Sequence, residues 1–288
     1  MKLTWPSQRM KGRTMVAIPL AVSAVLLVAI LIFGVPLGRD FKGGTLVMVR
    51  GVENAPDVNN VKSQTESLTG LVVDVKGTHN GFDIETDTLS GNSENQIKDM
   101  LLTRFGLAES SITIGALGPT VSSAQILEII FVAAGALIVI WVVILIFRRR
   151  VAATTAVITA GLDVLGILGL MALFRVPLNL ASIIGILITF CFVIETNVLL
   201  AYRLLKGAVG DPKENAGEAM KAGLAMSVVA LSVLLSINIL TTASLINELT
   251  LALVFGIIVN IVNTWFLGVV FFMRHVERKK VVSYHVSI

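Results

Sequence analysis

Five side chains in this sequence are chemically out of place. Asp163, Glu195, Asn197, Asn260 and Asn263 all stand inside long apolar runs. A carboxylate held in hydrocarbon costs about 3 kcal/mol on insertion scales, and more in simulation. Two kinds of chemistry explain such residues: an interhelical hydrogen bond that fixes packing, or a direct part in moving an ion or proton. The residues alone leave both open. Asp163 lies midway along Val151–Phe174, and Asn260 and Asn263 lie at similar depth in Leu249–Met273. The two amides are its expected hydrogen-bond partners, and at mid-membrane Asp163 is placed to hold or release a proton as helices rearrange. Glu195, in Leu178–Tyr202, sits about 10 Å from Tyr202 at 1.5 Å per residue, with Arg203 two turns beyond Glu195 and in reach of it. Glu195 is therefore expected to be the more replaceable acid.

Other chemistries lack their residues. His79, His275 and His285 all fall outside the apolar runs, which leaves no intramembrane Ser–His pair. A single mid-run aspartate, with no Gly-x-Gly-Asp partner, argues against an aspartyl protease. No Walker sequence is present, so the chain does not use ATP itself. Cys191 is the sole cysteine, which excludes an intrachain disulfide and a cysteine metal cluster. We expect no enzyme, no cofactor, no metal and no nucleic-acid partner.

The elements that position these residues follow from composition. The 288 residues are 55% hydrophobic and 15% charged, which places the chain in the membrane class. Six runs are long enough to cross a bilayer as helices: Met15–Leu37, Ser123–Phe147, Val151–Phe174, Leu178–Tyr202, Ala222–Leu245 and Leu249–Met273. The first has no small-residue cleavage site before Pro36 and reads as a retained signal anchor. Positive charge gathers in the N-terminal tail, Arg148–Arg150, the Arg203–Lys221 loop and Arg274–Lys280, whereas Arg175-Val176-Pro177 and Ile246-Asn247-Glu248 carry little. By the positive-inside tendency both termini are cytoplasmic. The domains are thus a cytoplasmic tail 1–14, a first transmembrane helix 15–37, an extracytoplasmic domain 38–120, a five-helix membrane domain 121–273 and a cytoplasmic tail 274–288.

The extracytoplasmic domain alternates strand and helix patterns. Thr45–Val52, Leu71–Lys76, Phe82–Thr86 and Ser111–Gly115 read as strands, and Pro56–Thr69 and Ser93–Phe105 as helices. The order βαββαβ is the ferredoxin-like, α+β arrangement. Asp40-Phe41-Lys42-Gly43-Gly44-Thr45 opens this domain, and Gly118-Pro119-Thr120-Val121-Ser122 closes it just before the second run. Paired glycines permit close backbone approach, and proline suits a first helical turn. These brackets are expected to lie near each other and to set the domain's tilt. Within the membrane, small and polar residues form stripes that mark helix-facing sides: Thr159, Asp163 and Gly166; Ser227, Leu231, Leu234, Asn238 and Thr241; Gly256, Asn260 and Asn263. Polar stripes on so many spans predict association with a second set of membrane helices.

Together these features resemble the SecF family, the smaller membrane subunits of the SecD–SecF protein-export pairs. The resemblance covers nearly the whole chain. It rests on the two domain brackets, on Leu162-Asp163-Val164, which is similar to the family's His-Asp-Val stretch, and on Val193-Ile194-Glu195-Thr196-Asn197-Val198 followed by Arg203. Asn247-Glu248-Leu249 with Leu253-Val254-Phe255-Gly256-Ile257-Ile258 resembles the start of the family's sixth span. It implies a six-helix, RND-like (resistance–nodulation–division) half in the cytoplasmic membrane. It also implies a SecD-like partner, the Sec translocation channel and unfolded secretory polypeptide as interaction partners within the lipid bilayer. Bacterial relatives carry an early fifth-span arginine, but no basic residue occurs here between Ala222 and Met273, and the chain is more similar to the archaeal branch. The competing reading is a half-size RND-like exporter of lipid or small molecules, which calls for a roomy apolar cavity in the outer domain. A purely structural scaffold is the third.

Overall fold

The computed structural model describes residues 12–52, 56–71, 73–78, 80–146, 150–205, 212–241 and 243–275. Most of both tails, His79, His285 and Arg148-Arg149 lie outside the described residues. In chain order the elements are α1 (Gly12–Phe33), β1 (Gly44–Arg50), α2 (Val58–Thr69), β2 (Val73–Thr78), β3 (Gly81–Thr86), α3 (Gly91–Arg104), β4 (Ile112–Leu117), α4 (Ser123–Ile146), α5 (Arg150–Phe174), α6 (Leu180–Leu205), α7 (Pro212–Leu240) and α8 (Ser244–Val262). A π-helix, Asn263–Gly268, continues α8. The chain divides into two compact units, one of residues 37–126 and one of 1–36 with 127–288.

The smaller unit is built on one four-stranded antiparallel sheet of order β2-β3-β1-β4. Strand alternation sends Val47, Val49, Val73, Phe82 and Ile84 to one face, where Val61 of α2 and Ile97 and Leu101 of α3 complete a fully buried core. Helix α2 starts where the Asp57 side chain accepts a hydrogen bond from the Asn59 amide at 3.2 Å, and stops at Gly70 in the left-handed conformation. The opposite face carries ion pairs, Lys76 with Glu85 at 2.7 Å and Arg50 with Asp83. Lys98 on α3 holds Glu109 by a hydrogen bond, which keeps that carboxyl below its usual range. The domain brackets meet inside this unit. Gly44 pairs with Leu117 across β1 and β4, the Val121 amide donates to the Asp40 carbonyl at 2.8 Å, and the Leu117 carbonyl fills the place of a Gly43 Cβ. Arg39–Lys42 forms a single helical turn that the sequence had not indicated.

The larger unit is helical. Among the described residues, five helices are long and apolar enough to cross a membrane: Gly12–Phe33, Ala153–Phe174, Leu180–Leu204, Glu214–Leu240 and Ser244–His275. Gln125–Val139, within α4, is a further apolar stretch. Glycines set the closest approaches, since any Cβ at Gly169 meets Leu26, and one at Gly185 stands 2.7 Å from the Leu249 carbonyl oxygen. A Cβ at Gly223 would likewise collide with the Trp265 ring. Two expected boundaries are corrected. Helix α7 runs from Pro212 to Leu240, against the expected Ala222–Leu245, and α8 begins at Ser244, so the expected turn at Ile246-Asn247-Glu248 is helical. Hydropathy dips at Asn247-Glu248, but the polarity there is absorbed locally. The Asn238 amide bridges to the Asn247 carbonyl at 3.2 Å and the Thr250 hydroxyl at 3.1 Å, and Glu248 is buried.

Candidate functional site

Asp163 projects from the middle of α5 and is fully buried. Its two oxygens are each taken by one amide: Asn260 donates from Nδ2 to Oδ2 at 2.8 Å, and Asn263 from Nδ2 to Oδ1 at 2.7 Å. The spacing explains the pair, because residues i and i+3 share one face where α8 runs into the π-helix that begins at Asn263. Asn260 also donates to Thr264 Oγ1 at 3.1 Å, and its Oδ1 lies 3.2 Å from Thr196 Oγ1 on α6. Thr196 has the Phe192 carbonyl as a closer acceptor, at 2.7 Å. One hydroxyl proton cannot serve both: Thr196 donates either to the Phe192 carbonyl or to Asn260 Oδ1, and it accepts from Asn260 only when that amide turns over. Among the described residues, the carboxylate is thus met by neutral amides and by no cation.

A second polar link lies beside the first. Asn197 donates from Nδ2 to Thr159 Oγ1 at 3.1 Å and to the Val193 carbonyl at 2.8 Å. Thr155, Thr159 and Asp163 occupy one α5 face at spacings of four, while Gly166, Ile167 and Met171 continue that face without polar side chains. Polar groups therefore run from Asp163 toward the Arg150 end of α5 only. Buried polar atoms nearly always find partners, yet Asn197 Oδ1 and Trp265 Nε1 have none among the described residues.

The structure brings Asp163, Asn197, Asn260 and Asn263 together, and it leaves Glu195 out. Glu195 is exposed on the outer side of α6, whereas Thr196 and Asn197, one and two helical steps on, are buried. The reason is the 100° turn per residue: only one side of an i to i+2 run can face a neighbour. Arg203 does not reach back to Glu195 either, since it pairs with Glu218 of α7 at 3.8 Å. Sequence reading missed Thr264, whose only signal was its spacing of four from Asn260, and it gave Thr196 no role beyond its place in a motif.

A family model described as protein export membrane protein SecD/SecF, C-terminal, matches residues 97–278. The chain belongs to this family. It is 26% identical over 269 residues to the protein-export membrane protein SecF of Pyrococcus furiosus, covering 90% of this chain and 89% of that protein. It is 27% identical over 269 residues to the SecF of Methanothermobacter thermautotrophicus, covering 89% of this chain and 90% of that protein. Among solved structures it is similar to SecDF in a super-membrane-facing form, with TM-score 0.70 and 16% identity over 99% of this chain. It is also similar to SecDF described as a translocon-associated membrane protein, with TM-score 0.62 and 14% identity over 96% of this chain. At those identities the likeness establishes a shared fold. The chain spans 40% of the first SecDF chain and 39% of the second.

In this SecD/SecF chain the carboxylate cluster depends on close contact between α6 and α8. A Cβ at Gly256, one turn before Asn260, collides with the Thr189 side chain. Gly256→Val should force the two helices apart at a cost of about 1–3 kcal/mol. The expected result is a lower thermal midpoint in detergent for Gly256→Val, and an unchanged one for Gly161→Ala, where nothing lies within 4 Å.

Proposed function

We propose that the chain is the SecF-type accessory subunit of the Sec protein-translocation machinery. It is a multi-pass membrane protein that works with a SecD-like membrane subunit beside the Sec channel to move unfolded polypeptides outward. The observation that carries this reading is the match of the SecD/SecF family model over residues 97–278, with SecF relatives aligned over about nine-tenths of the chain. The role is mechanical and not catalytic.

The finer architecture follows from the same reading. Six transmembrane helices, α1 and α4–α8, carry both termini on the cytoplasmic side, and residues 38–120 form a ferredoxin-like domain outside. Support comes from the strand order β2-β3-β1-β4 with a helix after β1 and another after β3, and from the basic loops at one set of helix ends. In this scheme Asp163 is the coupling group. A protonated carboxyl can donate to Asn260 if that amide turns over, and Thr196 Oγ1 can then accept from the turned Nδ2. The two states differ by small rotations, which suits a group whose protonation follows helix arrangement. The outer domain contacts the emerging chain. Its interior is filled by side chains such as Phe82, Ile84 and Leu101, which leaves little support for a lipid or small-molecule exporter.

Purification of the tagged chain from native membranes in mild detergent tests the reading. Sec components and a second membrane subunit should accompany it. Recovery as a stable monomer, or with lipid alone, would refute an export subunit.

A further inference from the structure

One cleft of the helical unit is not accounted for by the Asp163 cluster. It lies between the first turns of α5 and the last turns of the helix that continues α8 to His275, and its volume is about 370 Å³. Each helix turns one face to it. Val151, Thr154 and Ile158 follow one another at spacings of three and four on α5, and Arg274 and His275 stand three and four residues beyond Phe271 on the facing helix. The lining is sorted by polarity. Arg274, His275 and Thr154 hold the mouth, where both helices leave the apolar run, and Ile158 and Phe271 form a wall one turn further in. Those two apolar side chains are 39% and 38% exposed. The sequence around the mouth is basic: Arg148-Arg149-Arg150 leads into α5, and Arg278, Lys279 and Lys280 follow Arg274 against the single acid Glu277.

We propose that this cleft binds an anionic phospholipid, with the headgroup phosphate against Arg274 and His275 and an acyl chain along Ile158 and Phe271. The proposal needs only the placement of the chain in a membrane, and stands apart from the export reading. Chemistry decides between candidate occupants. A guanidinium offers paired N–H donors that match phosphate oxygens. Inorganic phosphate would use the mouth and leave the apolar wall bare. A zwitterionic lipid would bring an ammonium charge into a basic neighbourhood. The chain's own following segment repeats the charge of the mouth, so it does not complement it. An anionic amphiphile satisfies both halves, and basic pockets between transmembrane helices suit such headgroups. Thr155 also lines the cleft, and it is the first hydroxyl of the α5 face that leads through Thr159 to Asp163. A bound lipid therefore caps that face at its Arg150 end.

The test uses the full chain in phosphatidylcholine nanodiscs, with and without phosphatidylglycerol. Native mass spectrometry of the released protein should show phosphatidylglycerol retained in preference to phosphatidylcholine. Arg274→Gln should lower the retained phosphatidylglycerol about tenfold, the scale of one charge-assisted hydrogen bond. Ile158→Trp fills the apolar wall, leaves every charge in place, and should lower it to a similar extent. If that variant melts early in phosphatidylcholine alone, Phe271→Ala, which removes the wall, replaces it and should lose the lipid equally. Lys221→Gln removes an exposed basic residue of α7 and should change nothing. Phosphatidylglycerol should also raise the thermal midpoint of wild type and of Lys221→Gln but not of Arg274→Gln, because a ligand stabilises the state that binds it. Equal retention of the two lipids overturns the proposal. So does an equal loss in Arg274→Gln and Lys221→Gln, the pattern of diffuse surface charge. Displacement by inorganic phosphate, with normal retention in the wall variant, makes this a phosphate site and overturns the lipid assignment as well.

Discussion

Asp163→Asn is expected to abolish export while the complex assembles at normal levels, and Asp163→Leu to reduce assembly as well. The separation follows from the geometry of the cluster. Asparagine matches aspartate in size and offers one acceptor and one donor where the carboxylate offers two acceptors. The conflict falls on Asn260, whose Nδ2 now lies 2.8 Å from Asp163 Oδ2. Turning that amide over presents Oδ1 to the new donor and Nδ2 to Thr196 Oγ1, now 3.2 Å from Asn260 Oδ1. Packing survives, and only the ability to gain and lose a proton is removed. Leucine instead removes the acceptor of one N–H on each of two buried amides, Asn260 keeping only its bond to Thr264, at about 1–3 kcal/mol each. Export rate in membrane vesicles, measured beside the amount of assembled complex, separates the outcomes. If export survives in the asparagine variant and fails only with leucine, Asp163 is a packing element and the coupling role must be abandoned.

The second large effect lies at the opening of the sheet unit. Gly43 has φ of +75°, where a β-branched residue is strained by about 1–3 kcal/mol. Its Cβ would also strike the Leu117 carbonyl, and a Cβ at Gly44 would strike the Thr86 carbonyl. Backbone oxygens on two neighbouring strands cannot both retreat without parting β1 from β3 and β4. The double change Gly43→Val, Gly44→Val should therefore destabilise this unit by more than about 4 kcal/mol, the range of exceptional substitutions. The helices, which share none of these contacts, should still insert. The expected readout is rapid protease cleavage within residues 37–126, membrane fractionation as in wild type, and loss of export. Gly106→Ala is the control: φ there is +63°, but nothing lies within 4 Å, so the cost should be near 1 kcal/mol. Export at the wild-type rate in the double variant would show that the bracket has no contact role.

What the sequence determined by itself was the set of elements and the mid-membrane cluster. Helix and strand periods are local properties, so α5, α6, both outer helices and all four strands were legible to within a few residues. Asp163, Asn260 and Asn263 were legible as partners because each is expensive in hydrocarbon, similar in depth and short of cheaper explanations. Where the local signal was ambiguous the reading slipped: the hydropathy dip at Asn247-Glu248 looked like a turn, although Asn238 reaches over to satisfy it. Only the tertiary structure decided which side of α6 faces inward. A 100° rotation per residue separates Glu195 from Thr196 and Asn197, and no pattern within one helix fixes the direction of its neighbours when both sides are apolar. The same holds for Arg203, which Glu218 on the next helix claims. Hydrophobicity tells a membrane helix that it is buried in something, and only packing tells it which face meets protein and which meets lipid or a partner.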